Sequence, residues 1–220
     1  MASVRHSRND MTIVAIEKRV GLSRDSENDE TQLKNGRHII KKAYVKSVHR
    51  GLVVFHWDFL KNEPMLQISQ LPSGTKYEEV RDRFLDKIAN WFPLDEFAPL
   101  NIRTAIKKLD AQNKAGSGVA RTQAVTYQDS GGYKMKADSP TQKTSLRGAK
   151  HVEKAIAPFV KVAVGHQGNF YWLPGDDGSA NPLESEVRTV FQGNKCRVAF
   201  SKAHGRTALL YVLSQIRGLC

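Results

Sequence analysis

Apolar side chains in "TKYEEVRDRFLDKIANWFP" recur at helical spacing. Tyr77, Val80, Phe84, Leu85, Ile88, Trp91 and Phe92 form one broad stripe, which predicts a core helix that stops before Pro93. Thr75 and Glu78 have the spacing of a capping box at its start. A second helix is predicted from Leu100 to Gln112, where Ile102, Ala105, Ile106 and Leu109 lie within about 60° of one another on a helical wheel. Its cations stand off that face. In "ARTQAVTYQDSGGYKMKA" the period changes to two: Val125 and Tyr127 alternate before the turn, Tyr133 and Met135 after it, and Lys134 and Lys136 take the other side. This is a hairpin with a basic face.

The flanking segments carry weaker patterns. "MASVRHSRND" reads as a mobile basic arm, "MTIVAI" as a strand, and "SRDSENDETQLKNG" as a polar loop ending in Asn-Gly. In "GRHIIKKAYVKSVHRG" Ile39, Ile40, Ala43, Tyr44 and Val48 fit a helix with Gly51 as its stop, although the β-branched content also fits a strand; the helix is the reading adopted, followed by a buried strand "LVVFHWDFL". Beyond the linker-like "ADSPTQKTS" come a helix with Leu146, Ala149, Val152, Ile156 and Phe159 inward, and a hairpin of "VKVAV" and "NFYWLP" around "GHQG". A loop "GDDGSANP", a short helix "PLESEVRTVFQG", a strand "KCRVAFS" and the segment "TALLYVLSQI", which fits a strand or a helix and whose length and leucine content favour helix, complete the chain. The predicted class is α+β. A winged-helix-like module over residues 37–138 follows an arm, short strand and acidic loop over 1–36, and precedes a smaller mixed α/β-hairpin module over 139–220.

Charge sharpens this picture. The chain carries a formal net charge of +12, and the excess is localised: residues 101–150 hold ten Lys/Arg against the three acids Asp110, Asp129 and Asp138, whereas 75–99 holds more acids than bases. Concentrated positive charge makes a field that attracts polyanions. The expected partner is therefore nucleic acid, duplex DNA before RNA, in regulation, replication or partition. Arg103, Lys107, Lys108, Lys114, Arg121, Lys134, Lys136, Arg147 and Lys150 are the candidate phosphate contacts. Asn101 and Arg103, near a helix start, are the candidates for base edges. Tyr127 and Tyr133 could instead stack on single strands, or pack across the hairpin. The second module is left for a partner protein, a second copy or an extended contact. A structural component of a viral or ribosomal nucleoprotein particle is the alternative function.

Catalytic chemistry finds little support. Asp176, Asp177, Glu184 and Glu186 could gather a metal for a nuclease, but Asp-Asp-Gly is common turn chemistry and the two Glu fit a helix start. The glycines of "AGSG" follow a helix rather than a strand, which fits a helix stop better than a phosphate loop. Asp110 and Lys114 have the spacing of a surface ion pair. Cys196 and Cys220 offer no disulfide framework; Cys196 is expected buried and inert, and free thiols fit a reducing compartment. No signal-peptide pattern or membrane-spanning run is evident, no cofactor motif is found, and the expected location is cytoplasmic or nucleoid-associated.

Overall fold

A computed structural model describes residues 2–72, 74–114, 119–175 and 180–220, with the backbone alone for Lys114 and Gly148. The chain is α+β, with two antiparallel sheets and four helices among the described residues. It divides into two compact units, residues 1–97 and 98–220. The predicted border at 138/139 is thus displaced. The two helices expected to form a helix-turn-helix are shared out, one closing the first unit and the other opening the second.

The first unit is a four-stranded meander of β1 (Ala2–His6), β2 (Asp10–Lys34), β3 (Arg37–Asp58) and β4 (Glu63–Ile68). Three expectations change here. The basic arm is β1, paired along β2 from Ala2↔Ala15 to His6↔Met11. The acidic "loop" is the outer half of β2, and the "helix" at 37–50 is the outer half of β3. Asn35 and Gly36, at φ 51° and 72°, make the left-handed turn that joins two strands with the right twist. Ile39, Ile40, Val45 and Val48 then suit the pleat, and this long pairing overrides the helical spacing.

An irregularity between Asp25 and Glu30 interrupts the ribbon. The Arg24 guanidinium clamps the Asp29 carboxylate there and holds its pKa down at about 2, while Asp29 accepts from the Ala43 amide at 3.0 Å.

Helix α1 (Tyr77–Ile88) lays Val80, Phe84 and Ile88 on Met11, Ile13, Val53 and Phe55. Its cap position is Lys76, which gives no side-chain cap, one residue beyond the Thr75 expected there. Trp91, expected in the core, is 73% exposed. Gly51 is not a helix stop. It lies within β3, where a Cβ would stand 2.3 Å from the Leu71 side chain.

The second unit is a five-stranded antiparallel sheet in the order β6-β5-β7-β8-β9, made of β5 (Ala120–Gln128), β6 (Lys134–Asp138), β7 (Val164–Trp172), β8 (Val187–Gln192) and β9 (Arg197–Phe200). Helices α2 (Ile102–Lys114), α3 (Lys150–Val162) and α4 (Arg206–Leu219) supply one core with the sheet's inner face. The predicted α2 stripe is fully buried against Tyr127, Phe170, Phe191 and Ile216.

The β5–β6 hairpin forms as expected, with Asp129 accepting from the Tyr133 amide at 2.9 Å. Two other expectations fail. "VKVAV" is mostly the end of α3, and "GHQGNFYW" is one continuous strand instead of a hairpin. "VRTVFQ" is strand β8 and not a helix, because Val187, Thr189 and Phe191 alternate inward and fill the core. Cys196 is exposed in a left-handed turn at φ 47°, so it is not a buried thiol.

No helix among the described residues is long and apolar enough to cross a membrane. At Gly165, α2 crosses β7 so closely that a Cβ would stand 2.5 Å from Ile106 Cβ and 2.7 Å from the Arg103 carbonyl. Gly165→Ala is therefore expected to cost about 1–3 kcal/mol, read as a lower urea midpoint with an unchanged slope.

Candidate nucleic-acid interface

The site begins with what seals the inner face. Asp110 on α2 is fully buried; its carboxylate accepts from Arg147 Nε at 2.8 Å and from Thr122 Oγ1 at 3.1 Å, and takes short hydrogen bonds from the Tyr127 hydroxyl and Arg147 Nη2. Asn113 extends the network to Thr122 Oγ1 at 2.9 Å. Burial, with the Asp110 charge beside it, pushes the Tyr127 phenol far above its ordinary pKa, so the hydroxyl remains a donor. Burial opposes the Arg147 charge, but the Asp110 hydrogen bonds and charge prevail and raise its pKa.

Three sequence readings change as a result. Asp110 is buried and pairs with Arg147, while the side chain of Lys114, its expected surface partner, lies outside the described residues. Arg147 is consumed in the core and does not face a phosphate. Tyr127 is core, while Tyr133 is 75% exposed at the hairpin.

The α2 candidates divide. Asn101 caps the helix by accepting from the Thr104 amide at 3.1 Å, which engages the oxygen expected to meet a base edge. Lys107 donates to the Ala163 carbonyl at 3.0 Å, and Arg103 and Lys108 are exposed. Lys150 is exposed at the start of α3.

The remaining candidates come together on the sheet's outer face. Residues paired directly across strands share a face, so the register reads out its composition row by row. One row crosses all five strands as Lys136, Thr126, Gln167, Gln192 and Arg197. The next is Asp138, Ala124, Asn169, Val190 and Ala199, and a third is Arg121, Tyr171 and Arg188. Lys134 sits opposite Gln128 at one end. Among the described residues Lys134, Lys136, Arg121, Arg188 and Arg197 bring five cations to this face, with Asp138 on Lys136 at 2.8 Å and Glu186 on Arg121 at 2.9 Å.

Arg121 and Arg188 flank the Tyr171 ring at 5.1 and 5.8 Å from its centroid. Such cation–π contacts hold guanidinium groups in place without neutralising them. Shielded polar atoms gather here too: no described residue bonds the Tyr171 hydroxyl, Asn169 Oδ1, Arg188 Nε or Gln192 Oε1. At the end of β7, burial lowers the His166 pKa, assisted by the charges of Lys134 and Arg103, so the start of α2 adds to the same positive region.

Arg188, Arg197, Tyr171, Gln167, Asn169 and Gln192 were not read as site residues from the sequence. The signal was the alternation in "VRTVFQ", hidden by a helical reading of that stretch. The proposed metal cluster gains nothing: Asp176 and Asp177 lie outside the described residues, Glu186 is engaged by Arg121, and no group of three metal-ligating side chains occurs among the described residues. The "AGSG" stretch also lies outside them.

Breaking the buried pair separates stability from binding chemistry. Asp110→Asn is expected to cost about 3–5 kcal/mol in chemical denaturation, while the Asp110→Leu/Arg147→Met double variant recovers much of that loss because no buried charge is then left alone. No protein-family model matches this chain, and no match is found among the curated proteins or the solved structures.

Proposed function

We propose that the protein binds nucleic acid across the outer face of the five-stranded sheet, as a binding protein and not an enzyme. The observation that carries this reading is the row Lys136, Thr126, Gln167, Gln192, Arg197, which sets cations at both margins of a strip of amide and hydroxyl groups. Cations displace counterions from phosphates, and amides offer paired donors and acceptors to base edges. Arg121 and Arg188 on Tyr171 extend the positive surface along the sheet.

The sequence-level candidates Arg121, Lys134 and Lys136 remain in this reading, and Arg103 joins at the rim near His166. A winged-helix docking, with α2 inserted in a groove, has less support: the apolar stripe of α2 is against the sheet, Asn101 is a cap and Lys107 is tied to the backbone. Action in regulation, replication or partition remains the functional context proposed.

Salt titration of binding to single-stranded DNA, duplex DNA and RNA tests the reading. Lys136→Ala, Arg188→Ala and Arg197→Ala together are expected to reduce the slope of log K against log salt by about 2–3, with the melting temperature followed in parallel, while Lys108→Ala leaves the slope unchanged. Equal slopes for the triple variant and the wild type would reject this surface.

A phosphate near His166 opposes the influences that lower its pKa. The complex should then take up a proton, and affinity should rise as the pH falls from about 7.5 to about 5.5. His166→Gln should flatten that dependence, as measured by fluorescence anisotropy across the pH range.

A further inference from the structure

In the first unit, β1 pairs with β2 only up to Ala15 and β4 pairs with β3 only back to Val53. Beyond those points β2 and β3 continue alone as a two-stranded ribbon to the Asn35-Gly36 turn. Counted along β3, this arm is about 50 Å long. Residues 31–42 are exposed throughout. A hairpin without a third strand or a packed face is marginal in water, so a segment of this length and exposure calls for a partner.

Its outer end says which kind. "TQLKNGRHIIKK" holds Lys34, Arg37, Lys41 and Lys42 and no acid. The register places Leu33 opposite His38 and Thr31 opposite Ile40, so these four share one face, which alternation along β3 also gives to Lys42; Lys34, Arg37, Lys41, Gln32 and Ile39 lie on the other, with Glu30 opposite Lys41 and ion-paired to it at 3.4 Å. Leu33 is 68% exposed and Ile40 64%. The end of the ribbon therefore carries the two most exposed aliphatic groups, Leu33 and Ile40, on one face beside Lys42, and Lys34, Arg37 and Lys41 on the other beside Ile39. A second copy of the same tip would repel it. A polyanion with an apolar interior accessible through a groove matches both faces.

We infer that this arm is a groove-binding element for duplex DNA. The ribbon enters the groove with Leu33 and Ile40 toward the base steps and Lys42 at the groove edge beside them, while Lys34, Arg37 and Lys41 reach the phosphates from the other face. A two-stranded ribbon fits a DNA groove, and aliphatic wedges that part base steps kink the duplex. The inference uses residues of the first unit only and does not depend on the sheet face of the second.

The test uses the full chain and a duplex end-labelled for fluorescence energy transfer, with circular dichroism confirming that each variant folds. Lys34→Ala/Arg37→Ala/Lys41→Ala/Lys42→Ala should lower the salt slope for duplex binding by about 3. Leu33→Ser/Ile40→Ser should keep the slope and lose the protein-induced kink of about 20–90°. Duplex binding and bending by both variants equal to wild type would overturn the inference, as would wild-type binding to single strands alone. Loss of self-association in the variants, with duplex binding intact, would assign the arm to a second copy of the chain. If the tip variants lose duplex binding while the Lys136→Ala/Arg188→Ala/Arg197→Ala variant keeps it, the arm stands and the sheet reading falls; the opposite pattern reverses both.

Discussion

The buried carboxylate of Asp110 organises the second unit. A charge taken out of water is tolerable only when its lone pairs are met and an opposite charge lies against it. Arg147, Tyr127 and Thr122 do this from two separate parts of the chain, so the network fastens α2 to β5 and to the turn before α3. With that side closed, Ile102, Ala105, Ile106 and Leu109 can be buried completely against the sheet. The three helices all serve the inner face, which leaves the outer face to polar side chains.

Strand alternation then divides the chemistry. Inward positions carry Val125, Phe170, Trp172, Val187 and Phe191, and outward positions carry Arg, Lys, Gln, Asn and Thr, with Ala124, Val190 and Ala199 among them. Two strand irregularities shift the phase of this alternation, one at Gln123 of β5, between Thr122 and Ala124, and one at His166 of β7, between the partners of Thr126 and Tyr127. Gly165 permits the close helix crossing at the same end of the sheet, where Arg103, His166 and Lys134 influence one another. The first unit solves a different problem. Its core of Met11, Ile13, Val53, Phe55 and the α1 stripe covers only the base of the meander, and the β2–β3 ribbon extends past it.

Elements with one strong period were legible in the sequence. The α1 and α2 stripes and the β5–β6 hairpin follow from spacing, and α4 from the length and leucine content of a segment whose pattern also fits a strand. Two of the failures share a cause, since they occur where short β-branched runs fit both periods. "RHIIKKAYVKSVHR" satisfies helical spacing locally, yet Asn35-Gly36 and the distant "TIVAIEKRV" decide the outcome through pairing. "ESEVRTVFQ" begins like a helix with acids in its first turn, and only insertion between β7 and β9 shows that Val187, Thr189 and Phe191 form an inward set. The candidate cations were partly legible for the same reason. Clustering in residues 101–150 located a basic region, but no local pattern distinguishes Arg147, which pairs across 37 residues with Asp110, from Arg121 or Lys136. Arg188 and Arg197 lay outside the dense segment and joined the site only through sheet order.

Photocrosslinking of a bound oligonucleotide, with the crosslinked peptides identified by mass spectrometry, tests the central claim most directly. The account predicts crosslinks in the second unit on peptides that carry Thr126, Gln167, Tyr171 and Gln192, with α4 unlabelled. Labelling confined to α3 and α4, with those four strand positions untouched, would contradict it.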